Sequence, residues 1–513
     1  MKRMCAIGLV LAGVCALGGE AHAAPRHVSL ASLDKNAREL FQDSMELDAQ
    51  CWDDKVKLVH NPSATAEGLA EGHYMVRESS WYALGLLFRD AAGDRQRAAA
   101  ILDAVLREQY VTPGPKWYGT YKRTPEEPDP TTNPTIWRGY DPNWRVFIGT
   151  TFAMILTEYP ERIPAELAQR MYAAIDRSIE GEMQEGRLVP SYSNIALMYG
   201  SLWDFAAVHD KRADWQKQAA EWTESVYKLF KQYDAFYEYN SPTYYGVDLY
   251  GLALWRDYGS TERIRAMGSE MEAKLWEDIA DFYQPGLRNV SGPYDRSYGM
   301  DMERYVSLVG VWMRTVMDAQ TAPVPPIGVK TDHVADAWFA PQFVILGTRI
   351  PPGAMAKMKT IEGEHLLHKQ ITAQRVATAW IGRDVIFGGE ATSKTKDAGP
   401  SSQFHPATVQ WRTPSGEIGW VQLIEAPMLD ATADKDGLTI SAQGTVRFRV
   451  HARDAAQAKI EATGWELPGL RVGVAADAKS FRVDKVEGGF DVTYVGITGM
   501  RLGINSVRGD RSD

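Results

Sequence analysis

Thr321-Ala-Pro-Val-Pro-Pro-Ile-Gly328 divides the chain into two textures, and its three prolines end the helical pattern that precedes it. On its N-terminal side apolar residues recur at helical spacing: Trp81, Leu84, Leu87 and Phe88, then Leu102, Val105 and Leu106, then Phe147, Thr151, Met154 and Ile155. Between about Leu33 and Gln320 this spacing predicts roughly ten helical segments, joined by short loops such as Tyr159-Pro-Glu-Arg-Ile-Pro164. Successive antiparallel hairpins in that number build an α/α toroid. An α-solenoid is the alternative, and it calls for a fixed repeat period that this sequence does not show.

On the C-terminal side the texture becomes alternation. Val446, Phe448 and Val450 interleave with Arg447, Arg449 and His451. Val409 to Arg412 and Ile418 to Ile424 flank Thr413-Pro-Ser-Gly416, a hairpin signal. The expected fold class is therefore α+β multidomain: an (α/α) toroid, as an incomplete barrel, over 24–322, then an antiparallel β-sandwich over 323–513.

The N-terminus carries Lys2 and Arg3, an apolar run from Met4 to about Leu17, and Ala21-His22-Ala23, the three-part pattern of a cleaved secretory signal over 1–23. Release into the periplasm or medium is expected, because Val14 before Cys15 does not suit lipid attachment and no later stretch is long and apolar enough to span a bilayer. Without the signal, Cys51 is the one remaining cysteine, so neither an intrachain disulfide nor a cysteine metal cage is expected. The net charge of -10 argues against a nucleic-acid partner, whereas a local basic groove on an acidic protein remains compatible with an acidic polysaccharide.

Four groups of residues stand out for chemistry. The longest non-helical segment of the helical half carries Trp117, Tyr118, Tyr121, Trp137, Tyr140 and Trp144, either as flat platforms for sugar rings or as loop packing. Tyr237-Glu-Tyr-Asn-Ser-Pro-Thr-Tyr-Tyr-Gly-Val247 places Glu238, Tyr239, Asn240, Tyr244 and Tyr245 at a helix mouth, with proline read at the first helical position. Arg288-Asn-Val-Ser-Gly-Pro-Tyr-Asp-Arg-Ser-Tyr298, with Arg288, Tyr294, Arg296 and Tyr298, precedes a helical run expected from about Met300 to Met317. Tyr192 and Asn194 in Ser191-Tyr-Ser-Asn-Ile195 head another apolar helix, where Asn194 is either an N-cap or an amide aimed at a substrate carboxylate.

In an extended loop Arg296 and Tyr298 point the same way, and a guanidinium beside a phenol, whose free pKa is about 10, favours the phenolate. The alternative is that Tyr298 simply packs while Arg296 pairs with Asp295 or Asp301. His73 and Arg77 are one turn apart, a spacing that lets both face one cavity. His405 precedes a strand from which it can reach back to the helical half. Glu364, His365 and His368 lack a convincing further ligand and read as surface residues; no metal or cofactor is expected.

Ser191-Tyr-Ser-Asn-Ile195, Asn240-Ser-Pro-Thr-Tyr-Tyr-Gly246, Gly292-Pro-Tyr-Asp-Arg-Ser-Tyr298 and Gln403-Phe-His-Pro406, in an exported chain of this architecture, resemble the uronate polysaccharide lyases, the group of alginate, glucuronan and heparinase II/III-like enzymes. The resemblance implies β-elimination on an acidic polysaccharide or oligosaccharide. It implies Tyr298 as acid and candidate base, Asn194 as neutraliser of the uronate carboxylate, Arg296 as the group tuning Tyr298 or holding substrate, and His405 as a second candidate base. Where heparinase-like relatives tend to have histidine after Gly-Pro, this chain has Tyr294. Three other readings stand beside it. A toroid glycoside hydrolase would draw on Glu238, Asp248, Asp204 or Asp301, a C5-epimerase would share the proton-abstraction site, and a glycan-binding protein would need no working acid.

Overall fold

The computed structural model describes residues 26, 28–63, 71–361, 363–395, 400–453 and 457–506; the expected signal segment 1–23 lies outside them. Among the described residues are twelve α-helices. They are α1 (Lys35–Gln50), α2 (Val76–Arg89), α3 (Asp94–Arg107), α4 (Trp144–Glu158), α5 (Ala165–Glu185) and α6 (Ser193–His209), then α7 (Ala213–Phe230), α8 (Tyr244–Tyr258), α9 (Glu262–Phe282), α10 (Leu308–Arg314), α11 (Ala340–Leu346) and α12 (Pro352–Lys359).

The helices form two layers, and composition sorts them. In α2, 13 of 14 residues are buried, against 5 of 18 in α7, so α2 is covered on all sides while α7 buries one stripe. Helices α4, α6 and α8 resemble α2 and pack successively on one another, each backed by its outer partner α3, α5, α7 or α9. Glycines let the inner backbones approach closely: a Cβ on Gly251 of α8 would lie 2.6 Å from the Leu197 side chain of α6, and one on Gly246 would strike Leu308 of α10. Because α11 packs on α1, α2 and α8, the end of the helical region meets its beginning. That contact bends the helices into a toroid and excludes the open solenoid.

The expected boundary at Thr321–Gly328 falls short of the observed one. The prolines do end α10's region, but a 3₁₀ helix (Val334–Phe339), α11 and α12 follow before the first strand of the β domain at His365. Helix α11 is buried at every position, so it shows no polar-apolar period from which to be read, and Pro341 occupies its first turn. Likewise the second string does not enter a helix at Met300; α10 begins at Leu308, where the Ser307 hydroxyl caps Gly310 N–H at 3.2 Å.

Fourteen antiparallel strands follow as one hydrogen-bonded sheet folded over on itself. One leaf contains Asp430–Asp434, Gly437–Ser441, Met500–Ser506 and Leu470–Ala476, and the other contains Val385–Ala391, Ala407–Arg412, Ile418–Glu425, Gly444–His451 and Gly489–Ile497. The leaves join through the single pair Asp430↔Ala391. Between them lies a core that includes Phe387, Trp411, Leu423, Phe448, Ile440 and Leu502. The hairpin at Thr413–Gly416 forms with Ile418 opposite Arg412. Ala377, Ala379, Ile381 and Ile386 belong instead to the core of the helical domain, so the two domains share packing along this edge.

Candidate active site

The inner helices begin at the same place. Arg77 of α2, Phe147 of α4, Asn194 of α6 and Tyr244 of α8, each in the first turns of its helix, line one cleft of about 770 Å3. Four helix N-termini carry partial positive charge towards a common space, a setting that favours an anion. Arg123 and Arg296 also line it, against Asp141 as the one carboxylate among the described lining residues.

The segment 291–298 is clamped from both sides. Asn240, whose φ of 46° lies in the left-handed region, donates its amide to the carbonyls of Ser291 and Pro293 at 2.7 and 2.8 Å. Asp295 N–H donates to the Tyr239 carbonyl at 3.0 Å, and the Ser241 hydroxyl donates to the Arg296 carbonyl. From the β domain, Tyr294 and His405 exchange both backbone hydrogen bonds, and Ser297 N–H donates to the Gln403 carbonyl at 2.9 Å. Arg375 ties the base of this segment to the sheet through Asp295 and Glu390. Tyr298 follows directly, at the seam of the two domains.

Around it the polar groups form a network. Arg296 Nη1 meets Glu238 Oε1 at 2.5 Å and its Nε donates to Gln403 Oε1 at 3.0 Å. Its guanidinium lies 3.7 Å above the Tyr244 ring. The Tyr244 and Tyr298 hydroxyls are hydrogen-bonded to each other. The His333 ring stacks on Tyr298 with centroids 4.2 Å apart. Burial opposes the charge on Arg296, but Tyr244, Glu238 and Tyr192 more than offset it and hold its pKa above the ordinary guanidinium value. Behind Glu238, Ser193 Oγ bridges to Asp248 at 3.2 and 3.4 Å. Burial first, and then the Glu238 carboxylate, push the Asp248 pKa well above the ordinary range, with the Ser193 bond and Arg296 opposing.

Thus Tyr298, Arg296, Asn194, Tyr192 and Tyr244 meet at one cleft, with Glu238 behind them. Asn194 is not an N-cap: it lies inside α6, donates Nδ2 to Glu238 Oε2 at 2.6 Å, and leaves Oδ1 buried without a partner among the described residues. Arg296 pairs with neither Asp295 nor Asp301. Trp137 lines the cleft mouth, 56 % exposed, on a backbone with φ 65° that the Tyr140 carbonyl and Arg123 hold from either side.

Other expected site residues take structural places. Tyr140 is buried with its hydroxyl on Glu185 at 2.8 Å, and Trp144 is buried beneath the Arg77 guanidinium, 4.9 Å away. Tyr239 and Tyr245 bury their hydroxyls on Asp278 at 3.2 and 3.3 Å. Tyr294 is buried on the Val290 carbonyl, and Asn240 serves the clamp described above. Arg288 pairs with Glu303 and the Ala322 carbonyl. His73 is exposed and precedes α2, so the one-turn spacing to Arg77 does not apply. The helix start read at Pro242 shifts: α8 begins at Tyr244, with Ser241 Oγ accepting its N–H at 2.9 Å, two residues beyond Pro242.

His405 is buried between the Ser297 carbonyl (3.3 Å) and the Gln422 amide (2.6 Å). Burial pushes its pKa down to about 4, with the Ser297 carbonyl opposing, so the ring is neutral with both nitrogens engaged and is a weak base. His365 and His368 lie three apart on one strand, hence on opposite faces, and cannot share an ion. Arg123, Asp141, Asn143 and His333 were not anticipated. The first three lie in or beside the long aromatic segment, whose length was the available signal. His333 had none, because its stacking on Tyr298 is a tertiary contact.

Residues 38–348 match the family model described as Domain of unknown function (DUF8769), and the chain belongs to that family. Residues 359–503 match a second model, Domain of unknown function (DUF8770). No curated protein matches the chain. Among solved structures it is similar to heparinase III, at 12% identity over 96% of this chain and 88% of that one, with a TM-score of 0.44. It is also similar to a mutant of the Streptomyces coelicolor A3 chondroitin AC lyase, at 10% identity over 92% and 79%, with a TM-score of 0.38.

Proposed function

We propose that the protein is an exported polysaccharide lyase that cleaves a uronate-containing chain by β-elimination in this cleft. The observation that carries the reading is the hydrogen-bonded Tyr244–Tyr298 pair at a cleft lined by three guanidiniums and the starts of four helices. Elimination needs the uronate carboxylate neutralised, the C5 proton removed and the O4 oxygen protonated.

Arginines and helix N-termini supply the first requirement, and the unpartnered Asn194 Oδ1 is an acceptor for the carboxyl in its protonated form. Tyr298 gives its proton to O4, and the linked Tyr244 hydroxyl is the path by which protons exchange between the two phenols. Arg296, above Tyr244, favours its phenolate as the group that takes the C5 proton. With a pKa near 4 and both nitrogens engaged, His405 is a seam residue rather than the base.

The hydrolase reading has less support. Glu238 is held by Arg296 and Asn194, Asp248 is fully buried, Asp204 is bonded to Ser260 and Asp301 lies outside the cleft. Asp141 alone does not make the pair of carboxylates that hydrolysis requires.

The test is to mix the protein separately with alginate, glucuronan, hyaluronan, heparan sulfate and gellan and follow the ultraviolet absorbance of the C4–C5 unsaturated uronate. A rise with one substrate supports elimination. Reducing ends without that absorbance would transfer the reading to hydrolysis. Export rests on the pattern of residues 1–23 and predicts a mature N-terminus near Ala24, readable by N-terminal sequencing of the periplasmic fraction.

A further inference from the structure

The chain ends that open α4 and α6 and leave α5 meet at the cleft. Asn143 stands just before α4, Arg187 two residues past the end of α5, and Tyr192 just before α6. Arg187 Nη2 donates to Asn143 Oδ1 at 2.7 Å, and Asn143 Nδ2 donates to the Tyr192 hydroxyl at 2.9 Å. Asn143 and Tyr192 both line the cleft, with Asn194 and Arg296.

Charge sets the direction of this chain of hydrogen bonds. A guanidinium has donors only, so the Asn143 atom that meets Arg187 is its carbonyl oxygen, and its amide nitrogen is turned on Tyr192. Arg187 is itself pinned: Nη2 also donates to Glu182 Oε1 at 3.0 Å, and Glu185 Oε2 lies 3.6 Å from Nε. The fully buried Arg145 of α4 pairs with the same two carboxylates. The Tyr192 oxygen therefore accepts from Asn143 and keeps its own proton to give, and among the described residues no acceptor takes it. Burial raises the Tyr192 pKa, with Arg296 opposing, so the phenol holds that proton at neutral pH. In a cleft lined by three guanidiniums, a donor so aimed is matched by a carboxylate oxygen, because hydrogen bonds to ionised acceptors are the stronger ones.

Resting on the elimination reading, we infer that Tyr192 donates its phenol proton to the uronate carboxylate, and that Arg187 and Asn143 are positioning residues that turn this proton towards the substrate. Tyr192 is then a specificity residue, favouring an acid sugar over a neutral one at this point of the cleft.

The experiment is a double-mutant cycle on binding. The Tyr298→Phe protein is titrated by calorimetry with whichever of alginate, glucuronan, hyaluronan, heparan sulfate and gellan binds it best, and Tyr192→Phe, Asn143→Asp and both together are added to that chain. Tyr192→Phe should weaken binding roughly 10–100-fold, the loss of a hydrogen bond to an ionised acceptor. Asn143→Asp keeps a partner for Arg187 but can only accept from Tyr192, so it turns the phenol proton away from the cleft. In its presence Tyr192→Phe should change binding by less than about threefold, and the charge that Asn143→Asp adds acts on both arms and cancels from the cycle. A loss under about tenfold from Tyr192→Phe alone, a loss above about threefold when Asn143→Asp is present, or no binding of any of the five polymers overturns the inference. Wild-type turnover, followed by the absorbance of the unsaturated product, reads elimination separately. Binding that obeys the cycle without that product sinks the lyase reading alone, and product formation with an additive cycle sinks this inference alone.

Discussion

The two walls that meet at Tyr298 are held in different ways. On the helical wall the polar side chains sit at helix starts and on a clamped loop, and charge fixes them: Glu238 is gripped by Arg296 and Asn194, with protonation of Asp248 favoured behind it. On the β wall, register fixes them. Along Ile418–Glu425, Val421 and Leu423 enter the sandwich core while Trp420 and Gln422 face the helical domain, and across the ladder Phe448 and Val450 alternate with Arg449 and His451 in the same way. The helical wall is thus sensitive to a lost charge, and the β wall to a lost side-chain volume.

The largest expected effect on stability tests the register. Phe448→Ala should cost about 3–5 kcal/mol in denaturant unfolding, because it empties a site between the two leaves. Its neighbour Arg449→Ala loses a half-exposed pair with Asp491 and should cost less than about 1 kcal/mol. Equal costs would mean that the alternation does not sort core from helix-facing side.

Next comes the charge network. Arg296→Met leaves Glu238 largely buried without its cation, an expected loss of about 3 kcal/mol that Glu238→Gln in the same chain should mostly restore. Failure of the second change to restore stability would show that Arg296 acts by packing alone.

A pH series separates two buried groups of opposite sign. His405 titrates lower in the folded protein, about 4 against 6.5, so the unfolded chain takes up its proton first and stability falls as pH drops through that window, by about 3 kcal/mol at most. His405→Gln should flatten this slope in urea titrations, and an unchanged slope would place the acid sensitivity elsewhere. Asp248 is raised in the folded protein, so its contribution runs the other way, with stability lost as pH rises above the ordinary carboxylate value of 3.8. Asp248→Asn should therefore raise Tm above neutrality, and the gain should shrink towards pH 3.8. A gain that does not vary with pH would contradict burial of an ionisable carboxyl there.

The contrast between the walls also explains how much was legible in the sequence. Apolar spacing revealed the ring helices, because ten helices lie between Lys35 and Arg314 and their faces repeat at helical period. Helices α11 and α12 escaped: one is buried on every side and both have proline in the first turn, so neither carried the expected pattern. The strings rich in Tyr, Asn and Arg did lead to the cleft, because such residues cluster where helices open onto a polar space. Within them, however, spacing did not separate Tyr244 and Tyr298, which reach the cleft, from Tyr239, Tyr245 and Tyr294, which support it from beneath. That distinction depends on which side of each loop faces Asp278 or Gln410, contacts made across tens of residues.

The account stands most directly on the Tyr298 hydroxyl, and the deciding measurement is kcat of Tyr298→Phe on the best polymer, followed by formation of unsaturated product, with Tm measured alongside. A loss of roughly 10²–10⁴-fold at unchanged Tm is the predicted result, since phenylalanine keeps the stack on His333 and removes only the proton carrier. Turnover within a few-fold of wild type would contradict the claim and move the chemistry away from the junction of the two walls.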